Sequence, residues 1–197
     1  MKIKDKKALK RESIIQTALQ LFSVNGFHKT TIPDIAGKLQ MSVGNVYNYF
    51  SSKDILAQAI IKYTSEVLGE KIRVVNTMDI SAKEKIHNIV EIYFTMAKEK
   101  PEMIEYFLRV YLSNREVFSD GCEGIVCVSG FITEIMIFFD SAVSSKELRD
   151  QDFFSAFGLF MGYLGGMVFL KGEDVLPNDI DYYIDDISRN IYNALKA

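Results

Sequence analysis

Two helix starts crowd into one short stretch of this chain. Thr31 is followed three residues on by Asp34, the spacing of a capping box with Asp in place of Glu, and Pro33 fits the first turn. Ser42 supplies a second capping hydroxyl. The helix between them has room for only about eight residues, with Ile32, Ile35, Ala36 and Leu39 facing inward. Gln40-Met41-Ser42 reads as a three-residue turn, and a third short helix follows from Val43 to Phe50, burying Val46 and Phe50. Helices of this length do not persist alone in water, so they must be packed against longer ones.

Longer ones lie on both sides. From Lys10 to Asn25, Ile14, Ile15, Ala18, Leu19, Leu21 and Phe22 fall at helical spacing, behind a basic arm over residues 1–9 that is expected to be mobile. Gly26 sits where a left-handed residue closes that helix, and Phe27 can fold back onto Phe22. Ser51 or Ser52 caps a fourth helix from Lys53 to Val75. Ser81 with Glu84 opens another to Lys98, Pro101 one to Asn114, and further helices are predicted over Gly121–Ala142, Gln151–Leu170 and from Pro177-Asn178 to Leu195. Only 12 glycines and 3 prolines interrupt 197 residues, and no strand alternation or internal repeat is present, so the expected fold class is all-α.

Charge divides the chain. Residues 1–53 carry nine Lys/Arg against three Asp/Glu, a net +6; the remainder carries fourteen against twenty-three, a net −9, giving the overall −3. A basic head on an acidic body fits a head that meets a polyanion. Two short helices with a three-residue turn, followed by a long helix, match the DNA-binding helix-turn-helix. The helix opened by Ser42 presents small or hydrogen-bonding residues at the end that enters a major groove. Gly44 lets the backbone approach closely, Asn45 and Asn48 suit base edges, and Val43 suits a thymine methyl. Tyr47 and Tyr49 offer hydroxyls to phosphate, the Lys53 ammonium is placed to hold one, and Thr30 and Thr31 are placed for the same task at the second helix.

From Ala8 to Leu56 the string resembles the N-terminal domain of TetR-family regulators. The matching residues are Ile14, Ala18, Leu21-Phe22, Gly26-Phe27, Thr30-Thr31-Ile32, Ile35-Ala36, Ser42-Val43-Gly44, Val46-Tyr47, Tyr49-Phe50, Ser52-Lys53 and Leu56. The family has glycine in the turn where this chain has Gln40. The resemblance implies a three-helix helix-turn-helix domain over 1–53 and a helical effector-binding and dimerisation domain over 54–197. It implies a homodimeric repressor that holds a palindromic DNA operator and pairs through its last two helices, here the glycine-rich helix and the one carrying Ile180, Ile184, Ile187, Ile191 and Ala194. Both carry more apolar surface than a monomer needs.

The resemblance also implies an effector pocket in the C-terminal domain. Candidate lining residues are Tyr93, Phe94, Phe107, Tyr111, Phe131, Glu134, Phe157 and Met161, an inventory that favours a small apolar or aromatic effector, cationic if Glu134 points inward. Each of these positions also reads as plain core. Phe153 to Leu170 is eighteen residues without a charge, with Gly158, Gly162 and Gly166 four apart, the minimum for a membrane span. Its acidic flanks favour instead a helix buried on all sides in a protein interface. No signal-peptide pattern appears at the start, so a cytoplasmic location is expected. Cys122 and Cys127 lie five apart on one predicted helix and do not share a face. His28 and His87 are isolated, and no zinc spacing, nucleophile–base pair or phosphate loop is seen, so neither a cofactor nor an enzyme activity is expected. A ligand-independent architectural DNA-binding protein on the same fold is the alternative.

Overall fold

The computed structural model describes residues 3–113 and 128–197, with the side chains of 6–108 and 128–197. The predicted start of a helix at Gly121, both cysteines and the side chain of Tyr111 lie outside these. Among the described residues the chain forms α1 (Ile3–Asn25), α2 (Ile32–Lys38), α3 (Val43–Tyr47), α4 (Lys53–Asn76), α5 (Ala82–Glu99), α6 (Pro101–Ser113), α7 (Ser129–Ser144), α8 (Phe153–Gly172) and α9 (Ile184–Leu195), with a 3₁₀ turn Ile180–Tyr183 before α9. No strand occurs among them, so the all-α expectation holds. The basic arm is corrected in part: residues 3–9 are helical, because no glycine or proline precedes Gly26 to stop α1.

Two compact units divide the chain, with a boundary within α4. The first contains residues 3–64 and 102–113, the second 65–101 and 128–197. In the first unit Ile14, Ala18, Ile35, Val46, Leu56 and Ile60 are fully buried. Gly26 adopts φ +83° and its N–H donates to Phe22 O at 3.0 Å, closing α1 as its position predicts. Phe27 then meets Phe22 edge to face at 5.3 Å, and Tyr106 of α6 stacks on Phe22 at 5.9 Å.

In the second unit, Ser65, Gly69, Arg73 and Asn76 follow one another along the face of α4 that meets α7. A Cβ on Gly69 would lie 2.6 Å from the Gly130 carbonyl oxygen, so the two backbones approach as closely as they do only because no side chain stands there. The Phe131 N–H donates to Ser65 Oγ at 3.0 Å across this crossing. On the opposite side α9 packs along α5. Lys98 of α5 pairs with Asp179 at 2.9 Å and with Asp181, pinning the 3₁₀ turn, and lies well above the usual lysine range because of those two carboxylates. Helix α8 buries Ala156, Phe160, Leu164 and Val168, one residue per turn.

Three helices end alike. At the ends of α2, α7 and α8 the left-handed residue is Gln40 (φ 53°), Lys146 (φ 62°) and Asp174 (φ 54°), none of them glycine. Each closes a Schellman motif: for α2, Gln40 N–H donates to Gly37 O at 3.1 Å and Met41 N–H to Ala36 O at 2.9 Å. A non-glycine residue there carries a steric cost of about 1–2 kcal/mol, part of which glycine returns as chain entropy in the unfolded state. Gln40→Gly, Lys146→Gly and Asp174→Gly are therefore each expected to stabilise the protein by about 0.5–1 kcal/mol. Denaturant melts of the three variants check this.

Candidate nucleic-acid interface

The geometry of α3 follows from its two ends. Ser42 Oγ accepts the Asn45 N–H at 3.3 Å at the start. At the finish the Tyr49 N–H donates back to Val46 O at 2.9 Å, a tightened turn that ends the regular helix at Tyr47 instead of the expected Phe50. Val46 and Phe50 are buried, and Arg11 of α1 lies over the Phe50 ring at 5.0 Å. With that side committed, Ser42, Val43, Gly44, Tyr47 and Asn48 are left exposed, and Asn45 and Tyr49 half-buried. A Cβ on Gly44 would meet nothing within 4 Å among the described residues, so no close approach between them requires glycine there.

The capping box that opens α2 forms as its spacing predicts. Thr31 N–H and hydroxyl donate to Asp34 Oδ2 at 2.8 and 2.6 Å, and Asp34 N–H donates to Thr31 Oγ1 at 3.4 Å. Thr31 is exposed, yet its hydroxyl proton is held by Asp34. Thr30 is buried, and its hydroxyl bonds to Leu21 O and Gly26 O at 3.2 and 3.0 Å. It ties the turn to α1 and does not face outward, a correction to the phosphate-facing expectation. Lys53 is half-buried and also turned inward: Nζ donates to Phe27 O at 2.9 Å and Thr30 O at 3.1 Å, with His28 O at 3.5 Å.

Sequence reasoning missed Arg11 beneath α3 and the bond from Tyr63 to Glu12 at 3.2 Å between α4 and α1. A cation four or eight residues from an aromatic is a helix-surface signal; a partner on another helix leaves none.

The effector candidates divide between the units. Phe107 lies in the first; Tyr93, Phe94, Phe131, Glu134, Phe157 and Met161 lie in the second. Phe131 and Phe157 meet at 6.1 Å, and Phe157 stacks on Phe153 at 5.5 Å. Tyr93 and Phe94 are fully buried, whereas Phe157 and Met161 are half-buried. The Tyr93 hydroxyl has no hydrogen-bond partner among the described residues, and burial pushes it above the usual phenol range. Glu134 is buried but committed: Arg73 Nε donates to its carboxylate at 2.9 Å, and Asn76 Nδ2 donates to the carboxylate at 3.1 Å and to the Glu134 carbonyl at 2.9 Å. That pairing removes the reason to expect a cationic effector. A hollow of about 300 Å³ lies between Phe139, Arg149 and Phe153, and one of about 190 Å³ between Met78, Lys85 and Phe138; neither is lined by the effector candidates.

The face of α8 opposite its buried stripe is open. Gly158, Gly162 and Gly166 are exposed with nothing within 4 Å of a Cβ, beside exposed Phe154 and Phe169. Within the chain itself the helix is therefore covered on one side only. Phe153–Gly172 is long and apolar enough to cross a membrane by length and composition, and it is buried on one face only. The isoleucine seam is used within the chain: Ile180, Ile187 and Ile191 are buried, and α9 and the 3₁₀ turn before it pack on α5.

Residues 14–60 match the family described as bacterial regulatory proteins, tetR family. The chain is 27% identical over 100 residues to the HTH-type transcriptional regulator YuxN of Bacillus subtilis, covering 51% of this chain and 34% of YuxN. It is 39% identical over 56 residues to UidR of Escherichia coli, covering 28% of this chain and 29% of UidR. The chain thus spans about a third of the length of these two relatives. Over a longer stretch it is 26% identical to IcaR of Staphylococcus aureus, the negative transcriptional regulator of the biofilm operon icaADBC, covering 77% of this chain and 80% of IcaR. The fold is that of FadR from Bacillus subtilis, solved in complex with stearoyl-CoA, at TM-score 0.81 and 17% identity over 92% of this chain and 97% of FadR.

Two paired changes probe this architecture. The Thr31 hydroxyl and N–H hold the Asp34 carboxyl below the usual carboxylate range. A depressed folded-state pKa stabilises above the unfolded value and is lost as pH falls through the folded one. The Asp34→Asn variant should therefore lose less stability than the parent between about pH 5 and pH 2, read from urea midpoints. Within the second unit, Arg73→Met leaves a buried carboxylate short of its cation, whereas Glu134→Gln removes the charge itself. The first should lower the melting midpoint by more than the second.

Proposed function

The chain belongs to the TetR family of bacterial transcriptional regulators, and from that premise we propose that it is a homodimeric repressor released from a palindromic operator by a small apolar effector. The observation that carries the DNA part is α3, which is held from behind by Val46, Phe50 and Arg11 and presents Val43, Gly44, Asn45, Tyr47 and Asn48. Asn45 and Asn48 read base edges, Val43 touches a thymine methyl, and Gly44 lets the helix sit close to the groove. Tyr47 and Tyr49, with Ser42 at the start of α3, meet phosphates and sugars. Such a protein works where the DNA is, in the cytoplasm.

Dimerisation is proposed through the open face of α8, with the outward residues of α9 beside it. Glycines four apart allow a second helix to approach closely, and Phe154 and Phe169 supply apolar area at its rim. The paired α3 helices then read half-sites about 34–36 Å apart or a multiple of that.

The effector reading rests on the aromatic core of the second unit and on Tyr93. A buried hydroxyl without a partner costs about 1–3 kcal/mol, which an acceptor oxygen on a bound molecule offsets. FadR holds an acyl-CoA on this fold, which favours an acyl chain with a carbonyl near its head over an aromatic cation.

The test is selection of genomic fragments by the purified protein at roughly physiological salt, followed by sequencing. A palindromic motif is the expected result; fragments with no shared motif would favour an architectural role instead. Gly162→Arg should leave the monomer folded, abolish the dimer in analytical ultracentrifugation and weaken binding to the selected motif by at least about a hundredfold. Gly44→Ala should likewise leave the fold intact while weakening that binding, and Asn45→Ala or Asn48→Ala should relax sequence preference.

A further inference from the structure

Lys53 is the first residue of α4, and its ammonium is turned onto the backbone of the segment between α1 and α2. An ammonium has three donors. Here they face three backbone carbonyls of the turn between α1 and α2: Phe27 O at 2.9 Å, Thr30 O at 3.1 Å and His28 O at 3.5 Å. The Phe27 ring face covers a further side, with its centroid 4.4 Å from Nζ. The two short bonds, the longer approach to His28 O and the ring face thus engage the ammonium from within the protein.

We infer that Lys53 is a positioning residue that bolts the start of α4 to the α1–α2 turn and so sets where α3 stands, rather than a phosphate contact. This rests on the reading of α3 as the DNA-contacting helix. The turn is short and tightly held. It begins at Gly26 with φ +83°, Thr30 folds back onto Leu21 O and Gly26 O, and Thr31 then opens α2. Pulling its carbonyls onto Lys53 fixes the entry of α2 relative to the entry of α4. These two helices bracket α3 in the sequence, and a helix of five residues takes its position from what brackets it. A surface lysine holding a phosphate would add one unit of charge to the DNA contact. A lysine committed to carbonyls adds none, and its loss is read as displaced geometry.

The test combines a spectroscopic reading of the ammonium with DNA titrations, using a mixed-sequence duplex as probe. In the DNA-free protein the Lys53 ammonium protons should exchange slowly enough to give a ¹⁵N–¹H correlation, assigned by its loss in Lys53→Met. Adding duplex should leave its shift in place. The Lys53→Met variant, checked as folded and held well below its melting midpoint, should bind the duplex about tenfold more weakly. The slope of log K against log salt should match the parent's. A slope reduced by about 0.9, or an ammonium shift that moves when duplex is added, would identify a phosphate contact and overturn the inference. Unchanged affinity in the folded variant would also overturn it, because the bond would then be structural only. If the parent binds no duplex at all, the DNA reading of α3 fails. The bolt itself is then judged by the ammonium signal and by a lowered melting midpoint in Lys53→Met, and absence of both would refute it. Should the variant not fold, the free and duplex-bound spectra of the parent decide.

Discussion

A helix of five residues has no stability of its own: it closes too few hydrogen bonds to offset the backbone entropy it costs. Everything that α3 presents outward therefore depends on what holds it from behind. Val46 and Phe50 are buried one turn apart, the Phe50 ring carries the Arg11 guanidinium, and Ser42 satisfies an N–H at the open end. Because the inward side is fully committed, the outward side is free to be chosen for chemistry alone. Gly44 shows this most plainly. A Cβ there would meet nothing within 4 Å among the described residues, so no close approach between them calls for glycine.

The same economy of side chains appears in the second unit, with the opposite sign. Gly69 stands where any Cβ would strike the Gly130 carbonyl, so there glycine is required by a close backbone crossing inside the chain. Ser65 one turn before it and Arg73 one turn after it add polar bonds to α7, and Asn76 completes the set around Glu134. Glu134 is a buried carboxylate whose bonds are all supplied by α4. It registers the two helices against each other at specified positions, which apolar packing alone does less sharply.

Helix α8 combines both situations on its two faces. Its buried stripe, Ala156 to Val168, packs within the chain, and a Cβ on any glycine of its other stripe would meet nothing among the described residues. An apolar helix with an unoccupied face at 20 residues passes the test for a membrane span by composition, and the same composition suits pairing with a second helix.

Most of the fold was legible because helix ends are written locally. Thr31 with Asp34, Ser81 with Glu84, Ser42, Gly26 and Pro101 each act on a backbone group within four residues, so the sequence by itself determined where α2, α3, α5 and α6 begin and where α1 stops. It also determined the residue types of the outward face of α3, since periodicity assigns the buried ones. Only the tertiary structure decided which way the polar side chains turn. Thr30 and Lys53 stand at positions that suit phosphate contacts, yet their partners are carbonyls on other segments, Lys53's more than twenty residues away in sequence. Glu134 interrupts an apolar run and invites a ligand, but Arg73 and Asn76 reach it from across a helix crossing. The isoleucine seam of α9 reads from its spacing as a helix-packing face, and the fold supplies the partner, α5 of the same chain. In each case the deciding energy is the desolvation of a polar or apolar group, and that depends on neighbours brought together by the fold rather than on neighbours along the chain.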